Sequence, residues 1–274
     1  MKGLVFGAGF IGKRVAEKFN YELSEINVLD NSLLERTLED TKPDVVINAV
    51  GETGRPNIDW CETHGEETFA SNVIAAANLG IACSRKGIYF VHFGTGSIYT
   101  GKEKNGGFAE EDEPNFYEQT YARTKIIAEK ILKEFPCLQL RISMPLDDRP
   151  HKKNLIDKLR SYEKIVDVKN SITFVPDMLN TLESLIKKRK SGIYNVTNPG
   201  HISNVEIMNI YKEFVDPAHK FEIISDEELN KLVLKKKANG ILNTTKLARE
   251  GILMPDIHDS VKTCLIHYKK YVNP

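Results

Sequence analysis

A chain of 274 residues is long enough for one large domain, or for a domain with a lobe attached. With 41% hydrophobic and 28% charged residues it has the make-up of a globular protein, and 38 basic against 38 acidic side chains leave no net charge to draw it to nucleic acid or an anionic membrane. No apolar run reaches the length of a membrane span, Met1-Lys2-Gly3 leads into a strand pattern rather than a signal peptide, and Cys61, Cys83, Cys137 and Cys264 lack metal-ligand spacing, as suits free thiols of a reducing, cytoplasmic compartment.

Leu4-Val5-Phe6 is a short apolar strand that ends in Gly7-Ala8-Gly9-Phe10-Ile11-Gly12. A helix pattern follows, with Ile11, Val15 and Phe19 on one face. Strand, glycine turn and helix are the context in which G-x-G-x-x-G binds a dinucleotide. The glycines permit a tight turn and close backbone approach to a pyrophosphate, and the helix N-terminus faces its charge. Gly7, Gly9, Phe10, Ile11 and Gly12 are the expected contacts, against the alternative of a glycine turn that binds nothing. A second strand is expected over Ile26–Leu29, ending at Asp30, where an acid bonds the adenosine ribose hydroxyls and favours NAD. Lys13 and Arg14 point the other way, because a cation beside the turn can take a 2′-phosphate. From these residues NADH and NADPH stay open, and a solvated first helical turn also accounts for them.

Val45–Val50 is a continuous apolar strand of the kind buried in parallel sheets. Ala49 and Gly51, at its carboxyl end, join the expected cofactor contacts. The loop Gly51–Glu62 holds two glycines, a proline, Arg55, Asn57 and the single tryptophan, where open α/β sheets bind ligands. Arg55 can clamp a phosphate or sugar oxygen bidentately, and Asn57 is a second substrate contact. His64 reads as solvated. A helix is expected over Glu66–Lys86, with Asn72 inside it and Ala75-Ala76-Ala77 as a small packing face. Strand Ile88–Phe93 then leads into Gly94-Thr95-Gly96-Ser97-Ile98-Tyr99. Thr100–Asn115 reads as a mobile loop, and strand Leu138–Ile142 closes this half.

Between them, Tyr121 and Lys125 head an apolar-periodic helix and lie about one turn apart, so phenol and ammonium share a face. A lysine near a tyrosine lowers the phenol pKa, and such a phenol can pass a proton to a carbonyl oxygen. Thr95 can offer that oxygen a second hydrogen bond. Tyr-x-x-x-Lys alone occurs on many surface helices. Its weight comes from the nucleotide motif upstream.

Alternating strands and helices imply right-handed crossovers and an α/β fold with a Rossmann-type parallel sheet flanked by helices. The expected division is a nucleotide-binding domain over 1–142 and a smaller substrate lobe over 143–274, with 193–196 rejoining the main sheet. In the second part Met144 is the remaining expected cofactor contact. Asn154–Tyr162 reads as a short helix carrying Lys158, Ile172–Val175 as a strand, and Asp177 as the start of a helix ending in the Lys187–Lys190 cluster, a solvated end that complements the dipole. Ser203 with Glu206, and Ser225 with Glu228, form capping boxes. Lys235-Lys236-Lys237 lies in a loop and reads as solvated, although one of the three, Lys237, is the candidate to reach a diphosphate.

Four runs carry a family resemblance: Lys42-Pro43-Asp44 through Asn48-Ala49, the box Thr53–Glu62, Tyr162–Asp167, and Gly192–Gly200. The chain resembles an extended short-chain dehydrogenase/reductase. More narrowly, it resembles the C-terminal half of plant rhamnose synthases, the UDP-4-keto-6-deoxyglucose 3,5-epimerase/4-reductases, which are similar to bacterial dTDP-4-dehydrorhamnose reductases. The resemblance implies Thr95, Tyr121 and Lys125 as the reductase trio, NADPH as cofactor, and a UDP-linked 4-keto-6-deoxy sugar as substrate, with a homodimer compatible. For epimerisation it implies a cysteine two places after the threonine, where this chain has Ser97, and a lysine that maps to Lys158, although Leu155 replaces an aromatic residue. The glycine turn departs too, since Gly7 and Gly9 stand one residue closer than in the family. A 2-acetamido 4-keto sugar substrate, and a non-catalytic regulatory subunit that binds the nucleotide and a partner protein, are the alternatives. The intact trio argues against the second.

Overall fold

The structure, a computed structural model, describes residues 1–101 and 106–272. Its elements run β1 (Gly3–Phe6), α1 (Phe10–Phe19), β2 (Glu22–Ser24), α2 (Asn31–Thr41), β3 (Val45–Asn48), a 3-10 turn (Ile58–Glu62), α3 (Gly65–Phe69), a π-helical turn (Ala70–Ile74), α4 (Ala75–Lys86), β4 (Tyr89–Thr95), α5 (Thr120–Leu132) and β5 (Cys137–Ile142). There follow α6 (Leu155–Leu159), β6 (Lys164–Val166), β7 (Lys169–Asn170), α7 (Val175–Lys187), β8 (Gly192–Asn195), β9 (Ile202–Ser203), α8 (Asn204–Phe214), β10 (Glu222–Ile224), α9 (Asp226–Leu232), α10 (Thr245–Arg249) and α11 (Ile257–Val272). Two compact units result. The first comprises Met1–Ile98, Pro114–Arg141 and Leu185–Tyr194; the second comprises Tyr99–Glu113, Ile142–Ser184 and Asn195–Pro274.

The first unit holds a six-stranded sheet in the order β2-β1-β3-β4-β5-β8. The pairs β1 with β2, β1 with β3, and β3 with β4 are parallel. Leu4-Val5-Phe6 and Val45-Val46-Ile47 are buried without alternation, as strands covered on both faces are. Leu4, Phe6, Val46 and Phe90 from the strands pack with Leu34 and Leu38 of α2, Leu79 and Cys83 of α4, and Leu132 of α5. Gly80 lets α4 approach α5, since a Cβ there would lie 2.9 Å from Leu132 Cδ2.

Two expected strands are corrected. β2 is Glu22–Ser24, not Ile26–Leu29. Asn27 Oδ1 accepts the Leu29 N–H at 3.1 Å, and the Asp30 N–H donates to the Asn27 carbonyl at 3.0 Å, which closes a turn over that stretch. Asp30 thereby becomes the N-cap of α2, accepting from Leu33 N at 3.0 Å. Ile172–Val175 makes only an isolated bridge, Leu146 to Phe174, because its N–H groups go to Ser143 O, Leu146 O and Asn198 Oδ1. Val175 instead opens α7. The helix expected over Glu66–Lys86 is present, with the π-helical turn in its middle.

The second unit has its own core, with Leu155, Ile156 and Leu159 of α6, Val205, Met208 and Tyr211 of α8, and Val261, Leu265 and Tyr268 of α11. Two small sheets accompany it, β10 with β6 in parallel and β7 with β9 antiparallel. Both capping boxes form, at Ser203 with Glu206 and Ser225 with Glu228. Asn198 Nδ2 reaches Asp177 Oδ2 at 2.7 Å and Ser260 Oγ at 2.9 Å, tying α7 to α11. Among the described residues no helix is long and apolar enough to cross a membrane, and no cluster of His, Cys, Asp or Glu is arranged to hold a metal ion.

Candidate active site

Thr95 ends β4 and Tyr121 stands in the first turn of α5, and both side chains are buried. Thr95 Oγ1 accepts the Ser97 N–H at 3.1 Å and lies close enough to the Tyr121 phenol to act on its pKa. Burial lifts the phenol pKa above its ordinary value; the Thr95 hydroxyl opposes this, and the nearby Cys61 adds to it. The expectation that Lys125 lowers this pKa is therefore corrected. The Lys125 ammonium donates to the Phe93 carbonyl at 2.8 Å, and burial pushes its own pKa down to about 8, against the charge of Glu129 one turn on. The phenol stays protonated across the neutral range and is a proton donor by default.

The trio rests on a web of buried polar contacts. Glu62, from the 3-10 turn, caps α5 by accepting the Thr120 N–H at 2.8 Å and the Thr120 hydroxyl at 3.1 Å. Asn72 sits in the π-helical turn, a device that re-aims side chains and recurs at functional sites. Its Nδ2 donates to Thr124 Oγ1 at 3.0 Å and to the Glu52 carbonyl at 3.1 Å, while its Oδ1 accepts the Glu52 N–H at 2.8 Å. Glu129 holds the fully buried Arg141 bidentately, at 2.7 and 2.8 Å, and so fixes α5 on β5. His92 is paired with Asn48 across β3 and β4 at 3.0 Å. Because Asn48 Oδ1 already accepts the Val50 N–H, its Nδ2 faces the imidazole, so His92 Nδ1 is the acceptor. Burial and the Lys125 charge keep that ring neutral.

The glycine turn fits a dinucleotide. Gly7 has φ +100, and a Cβ there would lie 2.5 Å from the Ala49 carbonyl carbon, so the turn and the end of β3 close on each other. A Cβ on Gly12 would collide with the Gly7 carbonyl oxygen, whereas one on Gly9 would meet nothing. Gly9 is the N-cap of α1 and supplies no side-chain cap. An open cradle thus faces the helix N-terminus, the chemistry a diphosphate requires. Phe10 and Ile11 form that first turn. Lys13 is exposed, and Arg14 is mostly buried and lies 3.9 Å from Glu17. A Cβ on Gly51 would lie 3.2 Å from Asn72 Oδ1 and 4.0 Å from Lys125 Nζ, so this glycine stands beside both side chains. Asp30 lies beyond that turn as a helix cap.

The Arg55 side chain is 76% exposed, held by Glu52 at 3.0 Å and over the Trp60 ring at 5.4 Å. Glu52 also accepts the N–H groups of Thr53 and Gly54, which shapes the loop. Asn57 Oδ1 caps the 3-10 turn through Asp59 N at 2.8 Å. His64 is not simply solvated: its ring stacks on Trp60 at 3.8 Å. Ser97, partly exposed, is two residues past Thr95. Lys158, Met144 and Lys237 belong to the second unit. The Lys158 pKa is lowered by burial and by Lys153. Met144 has φ +40 and packs on the second core, and Lys237 lies in the expected loop. Sequence reasoning missed Glu52, Glu62 and Gln119 and left Asn72 without a role. The one available signal was an Asn inside a small-residue helix.

Residues 7–270 match the family described as RmlD substrate binding domain. The chain is 35% identical to the bifunctional dTDP-4-dehydrorhamnose 3,5-epimerase/dTDP-4-dehydrorhamnose reductase of Arabidopsis thaliana, over 95% of this chain and 88% of that protein. It is also 35% identical to a trifunctional Arabidopsis thaliana UDP-glucose 4,6-dehydratase/UDP-4-keto-6-deoxy-D-glucose 3,5-epimerase/UDP-4-keto-L-rhamnose-reductase, covering 95% of this chain but 41% of that one. The crystal structure of the UDP-rhamnose synthase from Acanthamoeba polyphaga mimivirus superposes with a TM-score of 0.91 at 29% identity, over 97% of this chain and 99% of the other. The protein described above, with its Thr95–Tyr121 pair and its glycine cradle, belongs to the RmlD substrate-binding-domain family.

Proposed function

We propose that this chain reduces the C4 ketone of a UDP-linked 4-keto-6-deoxyhexose with NADPH to give UDP-L-rhamnose, and that it also epimerises C3 and C5. The observation that carries the reading is the burial together of Thr95 at the end of β4 with Tyr121 and Lys125 one turn apart on α5, in a chain of this family. The chain spans about two fifths of the trifunctional relatives, and the reading takes only the epimerase and reductase steps from them.

When bound, NADPH supplies the hydride. Gly7, Gly9, Phe10, Ile11 and Gly12 would hold its diphosphate, Lys13 and Arg14 its 2′-phosphate, and Ala49, Gly51 and Met144 the remainder. Lys125, with one N–H on Phe93, keeps two for sugar hydroxyls of the cofactor. Tyr121 and Thr95 both donate to the C4 oxygen. As that oxygen turns into an alkoxide it becomes far more basic than a phenolate, so even a phenol of raised pKa gives up its proton to it. Asp30, an exposed residue whose Oδ1 caps α2, is assigned to the adenosine ribose. Arg55, Asn57 and Lys237 are assigned to the nucleotide sugar. For epimerisation the ketone acidifies the C3 and C5 protons. Lys158 is the proposed base, because burial and Lys153 shift its pKa in the direction that favours the free amine, and Ser97 is the proposed relay. Residues 1–142 are read as the nucleotide-binding part and 143–274 as the substrate lobe, with 193–196 rejoining the main sheet. Four buried free thiols suit the cytoplasm.

The test is loss of NADPH absorbance with UDP-4-keto-6-deoxyglucose. Tyr121→Phe is expected to lower kcat about 10²–10⁴-fold with NADPH affinity within a few-fold. Unchanged turnover in this variant removes the assigned acid. Light scattering of the same preparation tests the homodimer.

A further inference from the structure

We infer that Gln119 binds the hexose ring of the nucleotide sugar, an inference that rests on the function proposed above. Gln119 is 1% exposed, and neither Oε1 nor Nε2 has a hydrogen-bond partner. It occupies the N-cap position of α5, where a polar side chain ordinarily turns back onto the first helical N–H groups, yet it makes no such bond. Glu62 performs the capping from another segment, through both the N–H and the hydroxyl of Thr120. The local backbone therefore makes no demand on the Gln119 amide. Tyr121 lies two residues further on, in the first turn of the same helix.

A buried donor and a buried acceptor left unmade together are costly, and native proteins rarely keep such a group unless a ligand or an ordered water completes it. Both ends being unpartnered, the argument is the same whichever way the amide is turned. A primary amide offers a donor and an acceptor side by side. Sugar hydroxyls, each a donor and an acceptor, match that pair, whereas phosphate oxygens would leave the Gln119 carbonyl unmatched. Tyr121, assigned to the C4 oxygen, is in the same helical turn, so the ring is the part of the sugar nucleotide that is brought to this end of α5. Gln119 is thus a specificity-determining residue that reads hydroxyls flanking the reacting carbon.

The experiment compares wild type with Gln119→Leu and Gln119→Met, using calorimetric titration with UDP and with UDP-glucose, together with melting temperatures. Both variants fill the volume of glutamine without its polar atoms. UDP-glucose is expected to bind roughly fivefold to tenfold more weakly to the variants, as for the loss of one or two neutral hydrogen bonds, with UDP unchanged. The melting temperature should hold or rise, because the free protein sheds an unsatisfied amide. Equal UDP-glucose affinity in wild type and either folded variant overturns the inference. So does a fall in melting temperature accompanied by parallel weakening of UDP, which would mean that a trapped water already satisfies the amide in a structural role. A wild-type chain that binds neither ligand removes the proposed function and this inference with it. Wild-type binding with unaffected variants removes the inference alone.

Discussion

Replacing Glu129 with glutamine tests stability and chemistry at once. Glu129 and Arg141 have side chains 6% and 1% exposed and make two charge-assisted bonds, so the pair is dry. The substituted amide would keep the shape but set an NH2 against a guanidinium donor and leave the Arg141 charge uncompensated. Removing one partner of such a pair costs about 3–5 kcal/mol. At about 2 °C per kcal/mol for a chain of this size, the melting temperature should fall about 6–10 °C. The second effect runs through Lys125. Burial has pushed its pKa down to about 8, and Glu129 is the charge that resists this. The ammonium exists below that pKa, so the alkaline limb of kcat/KM should lie near pH 8 in wild type and move to lower pH in Glu129→Gln. The linkage has the opposite sense for stability. The folded pKa is below the unfolded one, so the cost of burying the charge is fully present below about pH 8 and is relieved as pH rises towards the ordinary lysine value. Calorimetry and a pH–rate series measure the two effects. The double variant Glu129→Leu with Arg141→Met should restore the melting temperature without restoring the limb. A melting temperature within a degree of wild type refutes the packing argument, and an unmoved alkaline limb refutes the Lys125 argument.

Three further outcomes are expected. Replacing Lys13 and Arg14 together with alanine should raise the NADPH KM and spare that for NADH; equal effects on both would assign the preference elsewhere. Ser97→Cys should speed deuterium incorporation at C3 or C5, followed by NMR of the 4-keto sugar nucleotide in heavy water without NADPH, because a thiol with a pKa of about 8.5 cycles near neutrality where a hydroxyl does not. Equal exchange in wild type and Ser97→Ala would clear position 97 of a role. Asn72→Ala should cost about 1–3 kcal/mol and raise the sugar-nucleotide KM, since it strands the Glu52 backbone and Thr124; a variant with wild-type melting temperature and KM contradicts that tether.

Backbone demands were the legible part of this site. A turn that needs φ +100 at Gly7 and no Cβ at Gly12 announces itself in residue types, and so does a strand as apolar as Val45-Val46-Ile47. Side chains that override local propensity were not legible. Ile26–Leu29 has strand-forming residues, but Asn27 and Asp30 spend their polar atoms closing a turn and capping α2. The π-helical turn adds one residue to a helical pattern without altering composition, so Asn72 gave no sign of reaching both Glu52 and Thr124. Tyr121 and Lys125 do lie one turn apart on one helix, yet spacing carries no information about depth. Burial decided the direction of the phenol pKa.

The position of β8 has a consequence during synthesis. β5 is complete at Ile142, but its outer neighbour begins only at Gly192. At ribosomal rates of about 5–20 residues per second, those fifty residues take roughly 3–10 s to emerge. Through that interval the nascent sheet presents the backbone of Cys137–Ile142 as an open edge, a template for any other extended chain. The peptide that will cover it is the short Gly192–Asn195, which cannot be hurried by local folding because its partner lies so far upstream. A fragment cut at residue 142 would make that interval permanent, and should be recovered as aggregate or bound to a chaperone.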